Sequence, residues 1–154
     1  NGRLEQLDTP KEVYHQPATA FVADFVGQMN RITCKVLATD AAGSRVLASD
    51  CPLEFDARRS SLAIGSHAQA MVRPERMIVG DLQTVADGNR NRVKGVVAAT
   101  MFAGESTQWI VRTPLGDLVA SNQDSASQHG ADFEIGDEVS MEWRPEDTHL
   151  FALD

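Results

Sequence analysis

From Asn30 onward, apolar positions recur at every second residue. Arg31 to Thr39 places Ile32, Cys34 and Val36 on one face, and Ser44 to Ser49 and Ser66 to Val72 keep a similar β-rich style. Met77 to Val79 is a shorter segment of this kind. Residues 92–103, 107–113, 117–121, 138–144 and 149–153 continue it, with breaks at Asp87-Gly88-Asn89, Pro114-Leu115-Gly116-Asp117 and Gln128-His129-Gly130. About ten short strands with close turn signals predict a mainly β fold, a barrel or a sandwich.

Residues 1–29 have a different pattern. Gly2 to Leu7 suits a short strand. Thr9-Pro10-Lys11-Glu12 then opens a short helix: Thr9 caps it, Pro10 fits the first helical position and Glu12 completes a capping box. Pro17 ends that helix near His15. A second short helix runs from Ala18 to Val26, with Phe21, Val22, Phe25 and Val26 on one face and Gly27 as its C-cap. Helices this short need a partner surface to form.

The β part carries an internal repeat. Asn30-Arg31-Ile32 recurs as Asn91-Arg92-Val93, 61 residues on, and Ile64-Gly65 recurs as Ile135-Gly136, 71 residues on. From each of these glycines the chain runs to Arg-Pro-Glu, at Arg73-Pro74-Glu75 and Arg144-Pro145-Glu146. Anchors in the same order predict two related units, about 30–80 and 91–154, each too small for more than a marginal core alone. The expected architecture is a pair of five-stranded OB-like barrels that pack together and share strands.

Composition adds little to the fold but bounds the function. The 154 residues are 42% apolar, and 14 Lys and Arg against 22 Asp and Glu leave a formal charge of −8. Residues 1–109 are neutral, with 12 basic and 12 acidic groups; residues 110–154 hold 2 basic and 10 acidic groups and therefore the whole imbalance. Such an end disfavours a nucleic-acid partner. Cys34 and Cys51 fit no zinc or redox spacing, and a buried reduced thiol is expected at Cys34. The chain opens on Asn1 in mid-pattern and is read as a piece of a longer protein.

No phosphate-cradling Gly-Lys loop, dinucleotide fingerprint or nucleophile elbow is present, and His15, His67, His129 and His149 are widely spaced. No catalytic, cofactor or metal site is therefore expected. The candidate ligand or partner contacts are Arg73, Glu75, Arg144, Glu146 and Trp109. Each Pro stops a strand ladder, and the flanking Arg and Glu either lock that corner or hold an anionic ligand or partner loop. Trp109 is either core or a ligand platform.

The opening gives these features a context. Gly2-Arg3-Leu4-Glu5-Gln6-Leu7, Thr9-Pro10-Lys11-Glu12-Val13-Tyr14, Pro17, Phe21-Val22-Ala23-Asp24-Phe25-Val26-Gly27 and Asn30 resemble the segment ending the nucleotide-binding domain in ATP-binding subunits of ABC importers of the maltose and polyamine type. Asp8 departs from the glycine usual there. The remainder resembles the transport-associated OB (TOBE) region of those subunits, where an apolar strand ends in Arg-Pro-Glu, as Val72-Arg73-Pro74-Glu75 does. The resemblance implies that residues 1–29 are a hinge and 30–154 a C-terminal regulatory and dimer-contact region. It implies a cytoplasmic subunit on the inner face of the membrane, paired with a second copy and with transmembrane permease subunits, and open to a small-molecule or protein regulator. ATP and Mg would belong to an upstream domain. Residues 24–30 and the long second unit lie nearest the polyamine type, with ferric iron, phosphonate, thiosulfate and sugar types as alternatives. A stand-alone oxyanion-type binding protein of paired OB-like units is the other reading.

Overall fold

The computed structural model describes residues 27–83, 88–103, 106–122 and 133–153, with single positions at 4, 6 and 16. The strand and two helices expected before Gly27 lie outside the described residues. From Asn30 the chain is mainly β. Strands β1 (Asn30–Thr39), β2 (Ser44–Ala48), β3 (Glu54–Ala57), β4 (His67–Val72) and β5 (Ile78–Asp81) form the first half. Strands β6 (Asn91–Ala103), β7 (Ser106–Thr113), β8 (Gly116–Asn122), β9 (Glu138–Trp143) and β10 (His149–Ala152) form the second. Pro74–Arg76 and Pro145–Asp147 are 3₁₀ turns, each begun by the proline of an Arg-Pro-Glu.

The strands lie in two antiparallel five-stranded sheets, ordered β10-β4-β1-β2-β3 and β5-β9-β6-β7-β8. The second order is the first with every strand replaced by its counterpart, and each half donates its last strand to the other. β10 pairs with β4, His149 opposite Met71, and β5 pairs with β9, Ile78 opposite Glu142. Registers repeat as well: Asn30 faces Val72 and Asn91 faces Trp143. Even the irregularities correspond, at Val36/Ala38 in β1–β2 and at Val97/Ala99 in β6–β7. Gly65 and Gly136 hold equivalent turns at φ 91° and 96°, a region that favours glycine, and their N–H groups donate to the carbonyls of Val36 and Val97.

Alternation buries Ile32, Cys34 and Val36 of β1 with Val46, Phe55, Ala70 and Val72, and these join Val93, Val97, Trp109, Val111, Leu118, Met141 and Trp143 in one core. The ring of Phe55 meets Trp143 edge-on, centroids 5.9 Å apart, tying the first half to the second.

The repeated asparagines finish the junction. In an extended strand, the N–H and C=O of one residue point to the same edge, and β3 and β8 are both edge strands. Asn91 meets β3 as another strand would: its Nδ2 donates to Asp56 O (2.8 Å) and its Oδ1 accepts from Asp56 N (2.9 Å). Asn30 does the same to Val119 of β8, at 2.8 and 2.6 Å. The side-chain amide, one donor beside one acceptor, satisfies both main-chain groups. Arg76 and Asp147, counterparts 71 positions apart, lie 4.0 Å from each other, so opposite charges stand where identical residues would repel.

Candidate functional site

A groove of about 970 Å³ opens beside the Asn91 clamp. Its walls come from the β1–β2 turn, the end of β3, the loop ahead of β6 and the turn after β9. Four arginines line it, Arg45, Arg58, Arg90 and Arg144, with Asp40, Asp56 and Glu146.

Arg45 is committed within the protein. Its Nε donates to Glu54 (3.1 Å) and its Nη1 to both carboxylate oxygens of Asp56 (3.0 Å), and these bonds raise its pKa. Asp40 is also occupied, since its Oδ1 accepts from the amides of Ala42 (2.8 Å) and Gly43 (3.2 Å), an Asx turn closing the β1–β2 connection. Next to the groove residue Arg58 stands His149, its ring stacked on Phe151 with centroids 6.4 Å apart. Burial, then the charges of Arg58 and Arg73, push its pKa down to about 4.

The residues singled out from sequence separate. Arg144 and Glu146 are exposed and line the groove. Arg73, the counterpart of Arg144, is instead buried at 7% exposure, and its Nη1 points to the carbonyl of Gln28 at 3.5 Å. Glu75 is exposed on the first 3₁₀ turn, away from the groove lining. Trp109 takes the core position, 5% exposed between Thr100 and Ala120. Arg58 and Arg90 escape sequence reasoning; the Arg58-Arg59 pair just after β3 is their faint signal. Among the described residues no group of three His, Cys, Asp or Glu is placed to hold a metal, and no helix is long and apolar enough to cross a membrane.

Comparison with known families returns a match to the TOBE domain over residues 70–151. The chain belongs to the TOBE domain family. This TOBE chain is also similar to the spermidine/putrescine import ATP-binding protein PotA of Thermobifida fusca (strain YX), 31% identical over 157 residues, covering 97% of the chain and 38% of that relative. The PotA of Pseudomonas aeruginosa (strain UCBPP-PA14) is 36% identical over 152 residues, covering 97% of the chain and 41% of that relative. The chain thus spans about two fifths of the length of these curated relatives. Among solved structures, the cytoplasmic molybdate-binding protein ModG, in a form with molybdate bound, shares the fold. The TM-score is 0.68 at 15% identity, covering 80% of this chain and 96% of that one.

Proposed function

We propose that this TOBE chain is the C-terminal regulatory and dimer-contact domain of the ATP-hydrolysing subunit of an ABC import system, with a polyamine as the transported substrate. The observation that carries the reading is similarity at 31–36% identity over 97% of the chain to spermidine/putrescine import ATP-binding proteins. In this reading residues 1–29 are the hinge to an upstream nucleotide-binding domain, and 30–80 and 91–154 are the two related units of the regulatory region. The subunit works in the cytoplasm on the inner face of the membrane, with permease subunits and a second copy of itself. ATP and Mg bind upstream; the part played by 1–154 is regulation and contact, not hydrolysis.

The architecture suits that role. Exchange of β5 and β10 joins both units into one body. The β6–β7 hairpin is longer than its counterpart and leaves Phe102 81% exposed beside exposed Met101, an apolar tip available to a second copy. Calorimetric titration with Mg-ATP tests the division of labour. The native gene product should bind, and residues 1–154 alone should not. Binding by 1–154, or a native product without an upstream Walker lysine loop, would refute it and favour the stand-alone binding protein.

A further inference from the structure

The two halves repeat in their strands but not in what their sheets turn away from the core. In the first half, one row of cross-strand neighbours on that outer face is Ala38, Arg45 and Asp56. Its counterpart in the second half is Ala99, Ile110 and Val119. The clamps fix the equivalence, since Asn91 holds Asp56 and Asn30 holds Val119. The first row suits water: Arg45 bonds Asp56 and the neighbouring Glu54. The second row has three apolar side chains, and Ile110 faces outward because Trp109 and Val111 on either side of it are in the core.

The apolar character extends beyond this row. Along β6, Val96 and Met101 are exposed, and Phe102 at the tip is 81% exposed. Val96 stands where the first half has Lys35: Lys35 lies opposite His67 and Val96 opposite Glu138. The exposed Ile135 belongs to the turn whose Gly136 N–H donates to the carbonyl of Val97. Val96, Met101, Phe102 and Ile135 together expose roughly 400 Å² of apolar surface, a size at which a patch on a monomer is often functional.

The rim identifies what covers this face. Exposed Lys94 and Arg112 stand with exposed Asp117 and Glu138, so the signs balance. The chain's whole charge of −8 lies in residues 110–154, so like copies repel over much of the second half but not here. A balanced rim pairs with itself about a two-fold axis, where each residue of one copy meets a different residue of the other. We infer that the outer face of the second sheet, with the β6–β7 tip, is where two copies of this chain meet about a two-fold axis, an inference that rests on the dimer-contact reading and names its surface. Two such patches bury roughly 800 Å² of apolar surface, below the roughly 1,200 Å² at which stable interfaces begin. The contact is therefore weak alone and becomes effective once upstream domains hold two copies together.

Sedimentation velocity of residues 1–154 tests it, with the native gene product run in parallel. The dimer fraction of 1–154 should rise between about 5 and 500 µM, as a weak interface of this size requires. Phe102 is exposed, so Phe102→Ser keeps the fold; it enters the contact twice and should weaken dimerisation by about tenfold or more. Arg112→Glu makes the rim acidic and should weaken dimerisation more at low salt than at high salt. Ile64→Ser, on the equivalent turn of the first half and as exposed as Ile135, should change nothing. An equal loss in Ile64→Ser overturns the proposal, since it would mean general adhesion of exposed apolar groups. Phe102→Ser that lowers Tm but leaves dimerisation intact overturns it too, because the chain itself would then cover the face. A monomeric 1–154 beside a dimeric native subunit overturns this surface and leaves the transport reading standing. A dimer of 1–154 that depends on Phe102 upholds the surface even where the native product has no upstream ATP-binding domain.

Discussion

Replacing Asn91 with alanine removes both hydrogen bonds that fasten β3 to the second half, those at 2.8 and 2.9 Å to the main chain of Asp56. Each contributes about 1 kcal/mol net, and leaving a part-buried N–H and C=O without partners adds to the loss. We expect a destabilisation of about 2–3 kcal/mol, which for a chain of this size lowers Tm by roughly 4–12 °C. Urea unfolding tracked by Trp fluorescence reads it directly, because Trp143 packs against Phe55 of the same strand β3. The midpoint should fall with the slope unchanged. Asn30→Ala acts on Val119, with no shared partner, so the double variant should lose the sum within about 0.5 kcal/mol. Since each half contributes a strand to the other sheet, unfolding should stay a single transition in all variants. A loss below about 0.5 kcal/mol for Asn91→Ala would refute the clamp. A second transition would refute the one-body account.

Closely packed groups give three more expected outcomes. Gly95→Ala should destabilise by about 1–3 kcal/mol in thermal denaturation, because the added Cβ would sit 2.7 Å from the carbonyl of Arg112 and 2.6 Å from Val111 Cγ1; an unchanged Tm would contradict this. His149 stays neutral in the folded protein down to about pH 4, whereas the unfolded chain takes up its proton near 6.5. Between these values the unfolded state binds more protons, so stability falls as pH falls, and His149→Gln should flatten that part of a stability–pH curve. Equal slopes in the two proteins would count against the placement of His149. Burial pushes the Cys34 thiol up to about 11, so a thiol-reactive chromogen should modify half-buried Cys51 quickly and Cys34 only after unfolding. Two equally fast thiols would show that β1 is not enclosed.

The sequence anchors turn out to be physical devices, which is why they stand out. Asn30 and Asn91 clamp edge strands, Gly65 and Gly136 sit at positive φ, and Pro74 and Pro145 begin 3₁₀ turns. Each task admits few residue types, so the residues recur in order. Strand β3 is not legible in the sequence because Glu54–Ala57 has one large apolar residue, Phe55, and owes much of its order to Arg45 and Asn91 outside it. Exchange of β5 and β10 is carried by main-chain pairing, so four-residue strands such as Ile78–Asp81 give no hint of which neighbour they join. The groove is only partly legible. Arg144 and Glu146 are marked by the repeat, but Arg58 and Arg90 are brought to them by folding from distant positions.

The central claim is that this domain serves a polyamine import ATPase by regulation and contact rather than by hydrolysis. The direct measurement is uptake of radiolabelled spermidine by cells whose only copy of the native subunit lacks residues 30–154, with ATP binding by the purified subunit measured in parallel. The account predicts that the shortened subunit still binds Mg-ATP while spermidine uptake falls or loses its regulation. Uptake and its regulation identical to those of the intact subunit, or an intact subunit that supports no spermidine uptake, would contradict it.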